Sequence, residues 1–267
     1  KPIKKLKIQA RDFIERLLKE HSIESDKTIA IVAHNAILRC LILSLIGDPH
    51  QGFRRIKLDN ASLSIINLIK KKNNLLNCQI ECLNNTTHLI KNLPKKGKSS
   101  RIILVRHGET DWNLQGRFQG QIDIPLNKNG KSQAEAAREF LKNEKIDKTF
   151  SSNLSRPLET AKTIIRSHPN PIVNEIKDLI EIGHGLWEGK LESEINETWP
   201  KLLKDWKEKP DTVEMPKGET IQKVWNRSLN SWEEICNSLK DDETALVVAH
   251  DAVNKTILCH LLGLSPS

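Results

Sequence analysis

Two stretches of this chain, TIAIVAHNAILRCLILSLIGDP at residues 28–49 and TALVVAHDAVNKTILCHLLGLSP at residues 244–266, are written to one pattern. His34 stands opposite His250 and Gly47 opposite Gly263, each pair 216 positions apart. The helical patterns before them correspond too, residues 11–19 with 227–235. Such a period is too long for a solenoid unit and suits a whole domain, so the chain is expected to draw on a tandem of two similar domains. The copies are unequal. RHGETDWN at 106–113 has no upstream partner, and the strand-like FRRIKLDNASLSIINLI at 53–69 has no partner after 266. Residues 1–93 are therefore read as the C-terminal half of a first domain (helix, strand, helix, strand), 94–100 as a linker, and 101–267 as a second domain lacking its C-terminal end. The Pro, Gly, Ser and Lys of NLPKKGKSS, 92–100, are linker chemistry.

Patterning within the second copy alternates strands and helices. The continuous apolar run at 102–105 ends at Gly108 and suits a buried parallel strand. Residues 126–143 and 157–167 carry helical spacing, 148–151 a short strand, and 245–249 a second apolar strand before a helix that runs to 262. This alternation predicts an α/β fold, a three-layer sandwich with a mostly parallel central sheet.

Composition narrows the class. At 267 residues and 37% apolar content the chain can bury a real core. No apolar run approaches the ~18 residues of a membrane helix, so no membrane partner is expected and the protein is read as cytoplasmic. Its five cysteines, odd in number and scattered, do not form a secreted disulfide framework, and Cys78 with Cys82 lacks a second ligand pair, so no metal site is expected. The excess of 42 Lys+Arg over 34 Asp+Glu is strewn along the chain, without a nucleic-acid motif, and reads as a solvated surface.

In open α/β sheets ligands collect beyond the carboxyl ends of strands, where Arg106, His107 and Gly108 follow one run and His250 follows another. Arginine offers a planar donor fork for phosphate oxygens, glycine lets backbone approach closely, and histidine can become a phosphorylated intermediate. These residues suggest phosphoryl chemistry.

RHGETDWN, GRFQGQIDIPLNKNG, SSNLSRPLETA, LIEIGHGLWEG and VVAHDA, taken in order, resemble the histidine phosphatase superfamily, phosphoglycerate mutase-like branch, and the AHNA copy resembles the end of another such domain. The resemblance implies His107 as nucleophile, with Arg106, Arg156 and His250 completing a phosphate pocket. It implies Glu181 as the group that protonates the leaving oxygen, its pKa raised by burial. Gly108, Glu109, Thr110, Asn113, Gln119, Gly120 and Asp251 are implied as further substrate-binding positions, with no cofactor and no metal. A small phosphomonoester is the expected partner. The runner-up activity is a cofactor-dependent mutase, disfavoured because such mutases usually read FTGW where this chain has FQGQ; a non-catalytic phosphate-binding module is the alternative of another class. His184 is read as a surface residue, and Trp199, Trp206, Trp225 and Trp232 as packing residues of a helical cap. The two copies are expected to be able to pair, within the chain or between chains, and His34 competes with His250 for the place beside His107.

Overall fold

The computed structural model describes residues 2–20, 27–48, 52–70, 76–90, 92–169 and 172–266. They fall into two compact units, residues 1–91 with 261–264 and residues 92–260 with 265–267.

The first unit opens with α1 (Pro2–Glu20), whose Leu6, Ala10, Phe13 and Ile14 pack on Cys40 and Leu41 of α2 (Asn35–Leu45). A single turn, α3 (Gly52–Arg55), leads to an antiparallel pair, β1 (Leu63–Lys70) and β2 (Leu76–Asn85). Residues 27–34, expected to hold a strand, have no regular structure: Ile29 and Ile31 are exposed and Val32 is 97% exposed. A strand needs neighbours for its N–H and C=O groups, and among the described residues no strand pairs with this segment.

The second unit is a three-layer α/β sandwich. Its elements are β3 (Arg101–Arg106), α4 (Asp111–Gln115), α5 (Lys128–Leu141), β4 (Lys148–Ser151), α6 (Ser155–Ile165), β5 (Asn174–Glu175), α7 (Glu192–Thr198), α8 (Pro200–Glu208), α9 (Ile221–Ser238), β6 (Thr244–Ala249) and α10 (Asp251–Leu262). The parallel sheet runs β3-β6-β4-β5. Alternate side chains of the wholly buried β6 feed opposite faces. Ala245, Val247 and Ala249 join Leu179, Trp187, Met215, Ile235 and Val253, whereas Leu246 and Val248 join Leu141, Ile146, Ala161, Ile164 and Ile165. That double demand is why β6 reads as an unbroken apolar run. Trp199, Trp206 and Trp232 pack against the first cluster, and Trp225 meets the His260 ring at 6.1 Å.

Residues 92–100 do not stand apart from this unit. Leu93 packs against the Leu141–Ile164 side, Ser100 Oγ donates to Lys240 O at 3.0 Å, and Lys96 pairs with Asp242 at 3.0 Å. Compared with the expected boundaries, the segment read as a linker lies on the second unit's surface.

Candidate active site

Strand order assembles the site. Because β6 lies between β3 and β4, the residues that follow their carboxyl ends, His107, His250 and Ser152, become neighbours. The ladders run on past the strands, His107 N–H donating to Ala249 O and Ser152 N–H to Val248 O, each at 3.1 Å.

His107 is buried, with its ring centroid 5.1 Å from that of His250. Its Nδ1 lies 2.7 Å from Gly108 O, an acceptor, so Nδ1 carries the proton and Nε2 keeps its lone pair. Arg156 Nε donates to that Nε2 at 3.3 Å. Burial, with the charges of Arg156 and Arg106, pushes the His107 pKa down to about 4 against the Gly108 bond and Asp251. The imidazole is therefore neutral around pH 7, as a nucleophile requires. His250 is fully buried and also held well below the usual range, by burial first and then by Arg156 and His107. Its Nε2 lies 2.9 Å from Ser152 Oγ, and its Nδ1 is a buried atom without a partner.

Arg156, in the first turn of α6, is fully buried. Its Nη2 and Nη1 donate to the carbonyls of Gly120 (2.7 Å) and Ile122 (3.3 Å). Burial lowers its pKa to about 10, with Glu181, Asp123 and Glu188 opposing, so it stays cationic at neutral pH. Arg106 is more open; its Nη1 lies 3.3 Å from Asp251 Oδ1.

Glu181 is buried, and burial raises its pKa, with N–H donation from Ile182 (2.9 Å) and Ala252 (3.2 Å) to Oε1 acting against it. A carboxyl that can be neutral near a cationic pocket can give a proton and later accept one.

The other expected substrate-binding positions also make structural contacts. Thr110 and Asn113 form a capping box on α4, the Asn113 Oδ1 accepting from Thr110 N–H at 3.1 Å. Glu109 binds Asn127 Nδ2 at 2.8 Å and, through its N–H, Gln133 at 2.9 Å, seating α5. A Cβ on Gly108 would lie 2.4 Å from Gly130 O, so here glycine permits close packing against the α5 backbone. A Cβ on Gly120 would lie 2.4 Å from Glu188 Oε1. Gln119 Nε2 is a second buried donor without a partner. With the remaining Nη hydrogens of Arg156, Gln119 Nε2 and His250 Nδ1 suit the oxygens of a bound phosphate.

His184, expected at the surface, is buried against Phe118 (5.2 Å) and Trp206 (5.9 Å), its Nδ1 3.0 Å from Met215 Sδ. Burial pushes its pKa down to about 4. His34 belongs to the first unit, at the start of α2, and it is His250 that lies beside His107. Several supporting residues carried no signal of their own. Ser152 lies in SSNLSR, and Thr160 Oγ1 accepts from Gly108 N–H at 3.2 Å. Glu188, in WEG, accepts from the N–H groups of Gln121 (3.0 Å), Ile122 (2.7 Å) and His184 (3.2 Å), pinning the loop that Arg156 holds from the other side.

The family profile described as histidine phosphatase superfamily (branch 1) matches residues 2–81 and 102–267. The chain belongs to the histidine phosphatase superfamily. Phosphoserine phosphatase 1 of Hydrogenobacter thermophilus is 36% identical over 62% of this chain and 78% of its own length. The 2-carboxy-D-arabinitol-1-phosphatase of Triticum aestivum is 34% identical over 64% of this chain, which spans only 34% of that relative. The solved structure of Bacillus stearothermophilus YhfR superposes with a TM-score of 0.60 and 29% identity over 62% of this chain and 82% of that one. Relatives named as phosphoglycerate mutases match this histidine phosphatase as well.

Proposed function

We propose that the second unit hydrolyses a small phosphomonoester through a phosphohistidine on His107. The observation that carries the reading is the state of His107: a neutral ring whose Nδ1 is committed to Gly108 O and whose Nε2 lone pair meets a buried arginine. In the first half-reaction Nε2 attacks phosphorus while the ester P–O bond breaks and the Glu181 carboxyl gives its proton to the departing alkoxide. In the second, the Glu181 carboxylate takes a proton from water. That water attacks phosphorus, the P–N bond breaks, and phosphate leaves with His107 neutral again. Arg106, Arg156, Gln119 and His250 hold the equatorial oxygens.

The substrate is a small alcohol phosphate, of the class that includes phosphoserine and sugar-acid phosphates, as the names of the phosphatase relatives suggest. The chain reads FQGQ at residues 118–121 where cofactor-dependent mutases usually read FTGW, and this favours hydrolysis over mutase chemistry. We read the first unit as the C-terminal half of a first histidine phosphatase domain, a reading supported by the family match over 2–81 and the 216-residue offset. Five unpaired cysteines suit a reducing, cytoplasmic setting, and no helix of the described residues is long and apolar enough to cross a membrane.

The test is turnover of a phosphomonoester panel by wild type and His107→Ala, with acid-labile labelling of the protein from a 32P-phosphorylated substrate. Labelling and hydrolysis should vanish together, a loss of at least about a thousandfold. Hydrolysis retained by the variant removes His107 as nucleophile. Isomerisation of 3-phosphoglycerate that depends on 2,3-bisphosphoglycerate makes the protein a mutase.

A further inference from the structure

The reading above leaves unexplained a group of bonded side chains behind Glu181. Arg227, on α9, spends all five of its N–H donors. Its Nη1 bonds Asp178 O (2.7 Å) and Ile180 O (2.5 Å), and its Nη2 bonds Glu181 O (3.0 Å). Its Nε and Nη2 bond the two oxygens of Glu219, at 3.0 and 2.9 Å. Glu219 Oε2 also accepts from Gly183 N–H at 2.8 Å and from Gln121 Nε2 at 3.1 Å. The main chain on both sides of Glu181 is thus held by one planar fork and one carboxylate, both largely shielded from solvent.

We propose that Gln121, Glu219 and Arg227 are positioning residues that fix the backbone of Glu181 so that its carboxyl meets the leaving oxygen. This rests on the proton-donor role given to Glu181 above. The Glu181 carboxylate has little freedom of its own, since Oε1 is tied to the N–H groups of Ile182 and Ala252. Where the backbone goes, the carboxyl follows. Gln121 sits between Gly120 and Ile122, whose carbonyls anchor Arg156, so one residue joins the mounting of the phosphate-binding cation to that of the proton donor. Lysine at 227 would keep the charge and lose the fork.

The experiment compares kcat/KM for p-nitrophenyl phosphate, whose leaving group departs unaided, with that for the alkyl phosphate that wild type hydrolyses fastest. kcat/KM covers the steps up to alcohol release, where protonation matters only for the alkoxide. Arg227→Lys and Glu219→Gln should each lower the alkyl value roughly ten- to a hundredfold while the aryl value changes less than about threefold, following the pattern of Glu181→Gln. Inhibition by inorganic phosphate should stay at the wild-type level. If Glu181→Gln itself lacks leaving-group selectivity, the proton-donor role fails. If Glu181→Gln is selective but the other two lose both activities equally, or neither, the network is refuted and the donor role stands. Should Arg227→Lys misfold by circular dichroism, Glu219→Gln and Gln121→Ala decide by the same criterion.

Discussion

The chain holds the same helix-strand-helix text twice, and only one copy keeps the strand. Residues 244–249 are buried between β3 and β4, while residues 28–33, apolar in the same places, lie exposed with no strand partner among the described residues. The flanking helices survive in both: α1 and α9 before, α2 and α10 after, with Gly47 and Gly263 at φ +90° and +82° just beyond their ends. A helix closes its hydrogen bonds within itself, whereas a strand borrows them from neighbours. The chemistry divides along the same line. Arg227 in the second copy grips three carbonyls and a carboxylate; its counterpart Arg11 makes an exposed pair with Asp48 at 2.8 Å. Residues of equal character become a site only where the sheet brings their partners.

The sharpest way to break this contrast is a charge in each strand text. Val248→Asp would bury a carboxylate in the apolar layer around Leu141 and Ile164, costing more than about 4 kcal/mol, and should unfold the second unit. Val32→Asp, at the equivalent exposed position, should change stability by less than about 0.5 kcal/mol. Thermal melting followed by circular dichroism reads both; a large loss with Val32→Asp would mean that residues 28–33 are paired in solution. Next in size are the paired histidines. His250→Ala removes a buried group beside the nucleophile and should lower kcat by roughly a hundred- to a thousandfold, whereas His34→Ala should leave kcat at wild type. If His34→Ala alone reduces turnover, the first copy, not the second, completes the pocket.

The same contrast marks what could be read from the amino acids. The apolar run of β6 and the histidine after it were legible because burial on two faces allows no polar interruption and because VVAHDA stands in a recurring block. The identical logic applied to 28–33 predicted a strand that is not formed, since pattern reports what a segment can pair with and not whether a partner is beside it. The burial of His184 is not legible locally, because the family motif does not demand a histidine there and the partners that bury it, Phe118, Trp206 and Met215, lie far off in sequence. Arg227 was invisible for a related reason. On a polar-looking stretch of α9 nothing distinguishes an arginine that caps distant carbonyls from one in water.

The smallest effect tests a chemical difference directly after the paired histidines, Asp251 against Asn35. Asn35 donates its Nδ2 to Leu58 O at 2.6 Å, a structural bond. Asp251 instead faces Arg106 at 3.3 Å and Lys255 at 2.6 Å. Burial is the main influence on both groups, lowering the pKa of His107 and raising that of Glu181, and the charge of Asp251 adds a smaller upward push to each. Turnover needs His107 unprotonated and Glu181 protonated at the outset, so activity falls below the first pKa and above the second. Asp251→Asn removes the raising influence from both, and the whole pH profile of kcat/KM should move toward lower pH, acid and alkaline limbs together. The exposed ion pair with Arg106 limits the change in KM to roughly fivefold. Its direction separates two roles: a lower KM means that Asp251 restrains an arginine that otherwise binds phosphate, and a higher KM means that Asp251 itself holds the substrate's alcohol. A profile that does not move would detach Asp251 from both titrating groups.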